Sequence, residues 1–515
     1  MFKLLKKLSK FIFSRVVIVG SLILVQAVIL VLGIWALGEK SIYLNAFFLL
    51  LSITITIYLL NKNDNPAYKL AWIIPILLFP IFGGLFYLIF GNVRISKRLV
   101  KNSTEIYEAT TPLLKQDPAI PAEIVAMDET IAKQSHYITN FSTFPIYKNT
   151  TTKFLSPGEV KFQYMVEELQ KAKHFIFLEY FIIQEGIMWN TVLDILEEKV
   201  KEGVEVRLMY DDLGCVGTLP YRYFERMEKA GIQCLAFNPF VPFLSVKMNN
   251  RDHRKICVID GYVGFTGGIN LADEYINEFE KHGHWKDSSI LLKGEAVWNL
   301  TIMFLQLWNF SRPTDTDFER FRPHVGHPEA FENDGYVQPF GDTPLDGEIV
   351  SENVYLNIIN NANQYVYINT PYLIVDNEMV SALMLAAKNG VDVRIVTPHK
   401  ADKWYVHLVT RSYYQQLVEA GVKIYEYTPG FIHSKNFVSD DKVGVVGTAN
   451  LDYRSLYLHF ECSAWLYQSK ALMELKEDFL KMLDICTPIT LEDTKNVKWY
   501  TRLLRSILRA FAPLM

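Results

Sequence analysis

His253, Lys255, Asp260, Gly267 and Asn270 recur at identical spacing as His433, Lys435, Asp440, Gly447 and Asn450. Five fixed positions at about one in twenty each match at random roughly once in a million starts, so the pair is a repeat and not a coincidence. A histidine gives or takes a proton near neutral pH. An ammonium and a carboxamide beside it suit the oxygens of a phosphate. Two such half-sites together can break a phosphodiester through a covalent intermediate. One imidazole attacks phosphorus, and the other, held in the opposite protonation state, protonates the leaving oxygen. Lys255, Lys435, Asn270 and Asn450 would hold the phosphoryl oxygens as charge develops.

These side chains need a scaffold. Residues i and i+2 of a strand share a face, so each His-x-Lys presents both groups on one side. Residues 256–259 read as a buried strand, Asp260-Gly261 as a hairpin turn and 262–266 as the return strand. Gly267 and Gly268 let the backbone turn sharply or approach a bound group. Asn270 and Asn450 fall where a following helix would begin, a favoured place for a side-chain cap. Asp260 and Asp440 belong to the repeated pattern, but aspartate at a turn bonds nearby backbone, so a structural role is expected of both. The flanks repeat too: 175–183 parallels 365–374, 203–211 parallels 390–398, and 230–232 parallels 420–422. Each copy reads as strand, helix, strand, helix, strand, catalytic hairpin, an α/β pattern. Tyr180, Asp211, Asp212, Asn369 and Tyr372 lie at strand ends on the motif side and are candidate substrate contacts, with caps and turns as the plainer alternative.

This doubled His-Lys-Asp motif resembles the signature of the phospholipase D superfamily. The resemblance implies tandem phospholipase D-like α/β domains about a pseudo-twofold axis, one shared site, a phosphohistidine intermediate, and neither metal nor cofactor. It also implies a carboxylate behind each histidine, which by position would be Asp287 in HWKD (284–287) and Glu461 in HFE (459–461).

The chain has 515 residues, room for two domains and an appendage, and a net charge of −4, which argues against a general nucleic-acid binder. The five cysteines are scattered and lack metal-ligand spacing, so free thiols are expected. His282 and His284 lack convergent partners and do not make a metal site.

The first hundred residues are different in kind. Apolar runs at 16–37, 42–60 and 70–90 are each long enough to span hydrocarbon, so N-terminal transmembrane helices are expected. Lys and Arg flank both the first run and the end of the third, which places both ends in the cytoplasm. Three full spans cannot satisfy that. Pro75, Pro80, Gly83 and Gly84 make the third run a candidate re-entrant hairpin or broken helix, and a first run lying in the interface is the alternative. Residues 65–92 resemble the N-terminal membrane domain of bacterial cardiolipin synthases. Residues 101–152 read as a linker, 153–325 and 326–490 as the two domains, with 312–346 as the connection between them. In 495–515, Trp499, Leu503, Ile507 and Phe511 recur at helical spacing beside Lys498, Arg502, Arg505 and Arg509. This basic amphipathic helix suits an anionic membrane, the alternative being a helix docked on the protein core.

The second resemblance implies a multi-pass enzyme of the cell membrane that transfers a phosphatidyl group between two phosphatidylglycerol molecules, giving cardiolipin and glycerol. His253 is assigned as nucleophile and His433 as acid/base. A phospholipase D that hydrolyses or transphosphatidylates other lipids is the near alternative. A non-catalytic protein that binds anionic lipid is the alternative of another class.

Overall fold

The computed structural model describes residues 42–91, 97–239, 250–315 and 317–514, together with Val28 and Leu32. Two sheets carry the repeat. In the first, the fully buried strand Phe175–Tyr180 runs parallel to Glu205–Asp211, which is parallel to Gln233–Phe237. On its other side it meets the catalytic hairpin: Lys255–Ile259 antiparallel to it, then Val263–Gly267. Ser289–Gly294 and the edge strand Thr150–Leu155 complete seven strands. The second sheet repeats this order with Tyr365–Asn369, Asp392–Pro398 and Lys423–Tyr427 on one side. Asn436–Ser439, Val443–Gly447, Glu461–Tyr467 and Tyr336–Asp342 follow on the other, and Cys486–Ile489 adds an eighth, edge strand. Parallel strands covered by helices on both faces read as apolar runs such as FIFLEY, which is why alternation is absent there.

Each hairpin turns through left-handed backbone: Asp260 has φ 50°, and Asp440 and Asp441 have φ 54° and 57°. Aspartate tolerates that region better than most side chains. The Asp260 carboxylate accepts from the backbone N–H groups of Lys173, His174 and Phe175, and Asp440 does the same for Asn363, Gln364 and Tyr365. Each aspartate thus ties its hairpin to the start of the neighbouring central strand. Helix Val297–Ser311 is buried along almost its whole length and packs against strands of both sheets. An all-round apolar sequence such as VWNLTIMFLQLW belongs in such a place.

Several expectations change. Residues read as a linker fold as helices Lys97–Thr110, Ala119–Met127 and Glu129–Phe141, and Ile120, Ile124, Ile131 and Ile138 join the main core. The prolines there sit at element starts, where a missing N–H costs nothing. The stretch 312–346 ends in strand Tyr336–Asp342 of the second sheet. His253 and His433 precede their strands, which begin at Lys255 and Asn436. The helix after Asn450 is capped by Asp452, which accepts from Ser455, and the short 3₁₀ turn after Asn270 has no side-chain cap.

Among the described residues no helix is long and apolar enough to cross a membrane. The run 16–37 lies outside the described residues except for Val28 and Leu32. Helix Ile42–Asn61 packs on a helix pair made by the third run: Pro66–Leu78, a break at Phe79, then Pro80–Phe86. Pro80 drives Phe79 out of the helical region, which breaks the run. Ile55, Leu59, Trp72, Ile73, Ile76 and Tyr87 form the small core of this unit. Asn65, at its base, donates to Asp376 (3.1 Å) and Tyr457 (3.0 Å) of the second domain. Helix Trp499–Ala510 docks on helix Trp404–Glu419, with the Arg509 guanidinium 4.0 Å above the Tyr413 ring, yet Trp499, Leu503 and Ile507 stay exposed. This is the docked alternative, with an apolar stripe left uncovered.

Candidate active site

The two hairpins deliver His253 and His433 to one cavity of about 540 Å³ between the domains. Each histidine is oriented by a carboxylate from the opposite domain. His253 Nδ1 lies 2.9 and 3.0 Å from the Glu461 oxygens, and His433 Nδ1 lies 2.7 Å from Asp287 Oδ2. With the carboxylates ionised, each Nδ1 carries the proton and donates it, so Nε2 is left with its lone pair. The swap across the domain interface is supported by short parallel pairings: His284–Lys286 with Gly430–Ile432, and Asp252 with Phe460.

The carboxylates have their own supports. Asp287 Oδ1 accepts from Ser288 N at 2.8 Å. A Cβ on Gly268 would fall 2.1 Å from that same oxygen, so only glycine leaves room for it. At the counterpart position Thr448 donates its hydroxyl to Glu461. Lys255 Nζ donates to the His253 carbonyl at 2.5 Å, Lys435 Nζ to the His433 carbonyl, and Lys435 Nζ also stands 2.8 Å from His433 Nδ1.

Burial sets the electrostatics. It pushes the His253 imidazolium down to about 3 against the pull of Glu461, and that of His433 to about 4, with Lys435 adding to the shift and Asp287 opposing it. Burial also lowers Lys255 to about 8 and Lys435 to about 7. Although burial opposes it, the carboxyl of Glu461 is held well below the usual carboxylate range by His253 and His459, and that of Asp287 is lowered by His433 and Lys435. Lys255 of one half-site is felt by His433 and Lys435 of the other, so the two halves form one electrostatic unit. At neutral pH the resting site holds two neutral, outward-facing imidazoles and two lysines poised to lose or keep a proton. A bound phosphodiester anion restores proton affinity to all four groups.

Asn270 and Asn450 line the cavity. Asn270 accepts from Ile182 N (3.0 Å) and donates to Tyr275 (2.7 Å), while Asn450 Oδ1 has no partner. Tyr372 lines the cavity and donates to Asp402 at 2.5 Å. Tyr180, Asp211, Asp212 and Asn369 do not line it. The Tyr180 hydroxyl meets Lys161 in the first domain's core, and Asp211 accepts from the backbone of Leu213, Gly214 and Asp252. Asp260 and Asp440 sit at the far ends of their hairpins as backbone clamps. The sequence reading missed Arg251, Tyr275, Trp285, Phe431, Arg454 and His459, all close to the two imidazoles or on the cavity wall. Among the described residues the grouping of metal-type ligands is His253, His459 and Glu461. An ion there would take Glu461 from His253 Nδ1 and Thr448.

The family described as cardiolipin synthase, PLD-like domain, matches residues 165–291 and 355–483, and the phospholipase D-nuclease N-terminal family matches 50–92. An uncharacterized protein of Streptococcus mutans is 46% identical over 464 residues, covering 89% of this chain and 99% of its own length. A cardiolipin synthase of Halalkalibacterium halodurans is 35% identical over 480 residues, 91% of this chain and 94% of its own. The fold is shared with phosphatidylserine synthase of Haemophilus influenzae: TM-score 0.55, 15% identity, 74% of this chain and 97% of the other. This chain belongs to the cardiolipin synthase family of phospholipase D-like enzymes, the phosphatidyltransferases.

Proposed function

We propose that the enzyme joins two phosphatidylglycerol molecules into cardiolipin and releases glycerol through a phosphohistidine. The observation that carries this reading is the pair of histidine–carboxylate dyads, each crossing the domain interface and both opening on one cavity. One neutral imidazole attacks phosphorus through Nε2, and the P–O bond to glycerol breaks. The opposite histidine, protonated beside the bound phosphate anion, gives its proton to the departing oxygen. That histidine then takes the proton of the acceptor's hydroxyl. The acceptor oxygen bonds to phosphorus and the P–N bond breaks. One phosphodiester replaces another, so no nucleotide is needed. Both rings are almost fully buried, with 7% and 8% exposure, which favours a lipid alcohol over bulk water.

Membrane association follows the same reading. Helix Ile42–Asn61 and the broken pair 66–86 expose Phe47, Leu50, Ile57, Leu70, Leu77, Leu78 and Phe79, an apolar surface suited to acyl chains. A helix–break–helix leaves from the catalytic body at Asn65 and returns toward it, so a re-entrant insertion keeps both flanks on one side. That agrees with the basic residues on both, and supports the reading of catalytic domains on the cytoplasmic face of the cell membrane. Trp499, Leu503 and Ile507 add a stripe for an anionic surface. The test is purified full-length enzyme in mixed micelles of phosphatidylglycerol. Cardiolipin and glycerol in equal amounts are expected. Phosphatidic acid as the sole lipid product would replace transfer with hydrolysis, and unreacted lipid would sink the catalytic reading altogether.

A further inference from the structure

The two half-sites share a skeleton and differ in what flanks each histidine. Phe431 pairs with Trp285 beside His433, and the Asp252–Phe460 bridge puts Arg251 and His459 in the same relation beside His253. The His433 flank is an aromatic wall. Trp285, Tyr275 and Phe431 have ring centroids 5.3, 5.6 and 6.0 Å from its imidazole. The His253 flank has one such ring, Phe181 at 5.0 Å, and is otherwise basic. The His459 ring lies 5.4 Å from that of His253, and both Arg251 and Arg454 line the cavity wall there. The His459 N–H donates to the Arg454 carbonyl at 3.1 Å and the Phe460 N–H to that of Arg251 at 2.8 Å, which brings the three residues together.

His459 is the informative member. It is 8% exposed, lines the cavity, and neither ring nitrogen has a hydrogen-bond partner. The nearest Glu461 oxygen is 3.6 Å from Nδ1, beyond hydrogen-bond reach. Of the acids facing this cluster, Glu461 holds His253 and Thr448 and Asp452 takes the N–H of Ser455, while Asp211, at 3.6 Å, and Asp212 act on Arg251, which also donates to the Asn238 carbonyl at 2.8 Å. On the opposite rim Lys281 is paired with Glu274 at 2.8 Å, and Asp402 takes the Tyr372 hydroxyl.

Transfer to phosphatidylglycerol poses a problem that transfer to water or glycerol does not. The acceptor brings a second phosphodiester anion, three carbons from its attacking hydroxyl. We propose that Arg251, Arg454 and His459 form the subsite for the acceptor's phosphodiester, an organophosphate monoanion. This deepens the synthase reading and rests on it. The subsite adjoins His253, so His253 is the base that takes the proton of the acceptor hydroxyl, and His433 carries the phosphatidyl group. This reverses the assignment made from the sequence.

The experiment compares two reactions of the full-length enzyme in mixed micelles. Cardiolipin formation needs the second phosphate. Exchange of labelled glycerol into phosphatidylglycerol needs only the first. Arg454→Gln, on a half-buried position of a short helix, and His459→Phe are expected to lower the ratio of cardiolipin formed to glycerol exchanged at least tenfold, through a raised KM for acceptor lipid. Arg454→Lys is expected to restore part of that ratio. An unchanged ratio in both variants, whether the two rates stay level or fall together, would overturn the subsite. If wild type performs neither reaction, the synthase reading fails first and visibly.

Discussion

The two half-sites are built to one plan where distance matters and to two plans where it does not. In both, a hairpin ties down the central strand, a lysine holds the histidine's carbonyl, and a carboxylate from the other domain fixes Nδ1. Behind the carboxylates the halves part: a bare Gly268 beside the shorter Asp287, a hydroxyl from Thr448 on the longer Glu461. They part again at the flanks, aromatic beside His433 and basic beside His253. A phosphoryl group has near-symmetric needs, and the donor and acceptor lipids do not. The difference therefore separates what serves phosphorus from what serves the rest of the substrate.

The sharpest way to break this comparison is to delete each imidazole. His253→Ala and His433→Ala are each expected to lower phosphatidyl transfer from phosphatidylglycerol by on the order of 10³-fold or more, since residues acting as one unit fail together. They differ on a phosphatidyl ester with a nitrophenol leaving group, which departs without an acid. His253→Ala should still release a first-turnover burst of nitrophenolate, and His433→Ala should release none. The opposite pattern would return the nucleophile to His253 and cancel the assigned flanks.

Gly268→Ala comes next. Its Cβ would press on the Asp287 carboxylate, 2.1 Å from Oδ1 and 2.9 Å from Oδ2. Displacing that carboxylate from His433 is expected to cost roughly 10²-fold in kcat, and overpacking about 1–3 kcal/mol of stability. The matching change, Thr448→Val, removes one hydroxyl from Glu461. About tenfold in kcat is expected, the scale of one hydrogen bond to a charged group. Equal losses at the two positions would show that the carboxylates are supported alike after all.

The lysines separate the halves by pH. A lysine holds phosphate while it is charged, below its pKa, and loses its hold as pH rises through it. With Lys435 at about 7 and Lys255 at about 8, kcat/KM should fall in two steps across that interval. The kcat limb should lie higher, because bound phosphate favours the charged forms. Lys435→Arg, which does not titrate there, should erase the lower step and leave the upper one. A profile flat from pH 6 to 9 would count against both lysines as phosphate ligands.

Much of this was legible in the sequence. The repeat gave both histidine–lysine pairs, because catalytic spacing within a hairpin is local, and the resemblance to the phospholipase D superfamily implied the carboxylates Asp287 and Glu461. His459 was not read, although aligning Glu461 with Asp287 sets it opposite Trp285. A histidine inside HFE looks like part of the motif until its nitrogens are seen without partners. At strand ends facing the site, Tyr180 and Asp211 are candidates for substrate contact or for plain caps and turns, and burial decides: Tyr180 goes to Lys161 and Asp211 to backbone N–H groups, as a cap does. The helices of 97–141 were hidden by Pro112, Pro118 and Pro121, which mark starts as readily as breaks. Ile120, Ile124, Ile131 and Ile138 carried the signal instead, a recurring stripe that buries against the core.

Asp260 and Asp440 test how far the shared plan extends. Both stand in the repeated signature beside the catalytic pairs, yet each carboxylate spends itself on three backbone N–H groups at the start of a central strand. Two of the three donors in each set belong to exposed residues, Lys173 and His174 or Asn363 and Gln364, and can turn to water. Phe175 and Tyr365 are buried and cannot. Asp440→Ala should therefore destabilise the chain by about 1–3 kcal/mol, the cost of a stranded donor together with the loss of an aspartate suited to left-handed backbone. Activity per folded molecule should stay within about threefold, because the turn lies at the far end of the strand from His433. Denaturant unfolding together with a rate normalised to folded protein measures both. A tenfold drop in that normalised rate with unchanged stability would move Asp440 from the scaffold into the chemistry.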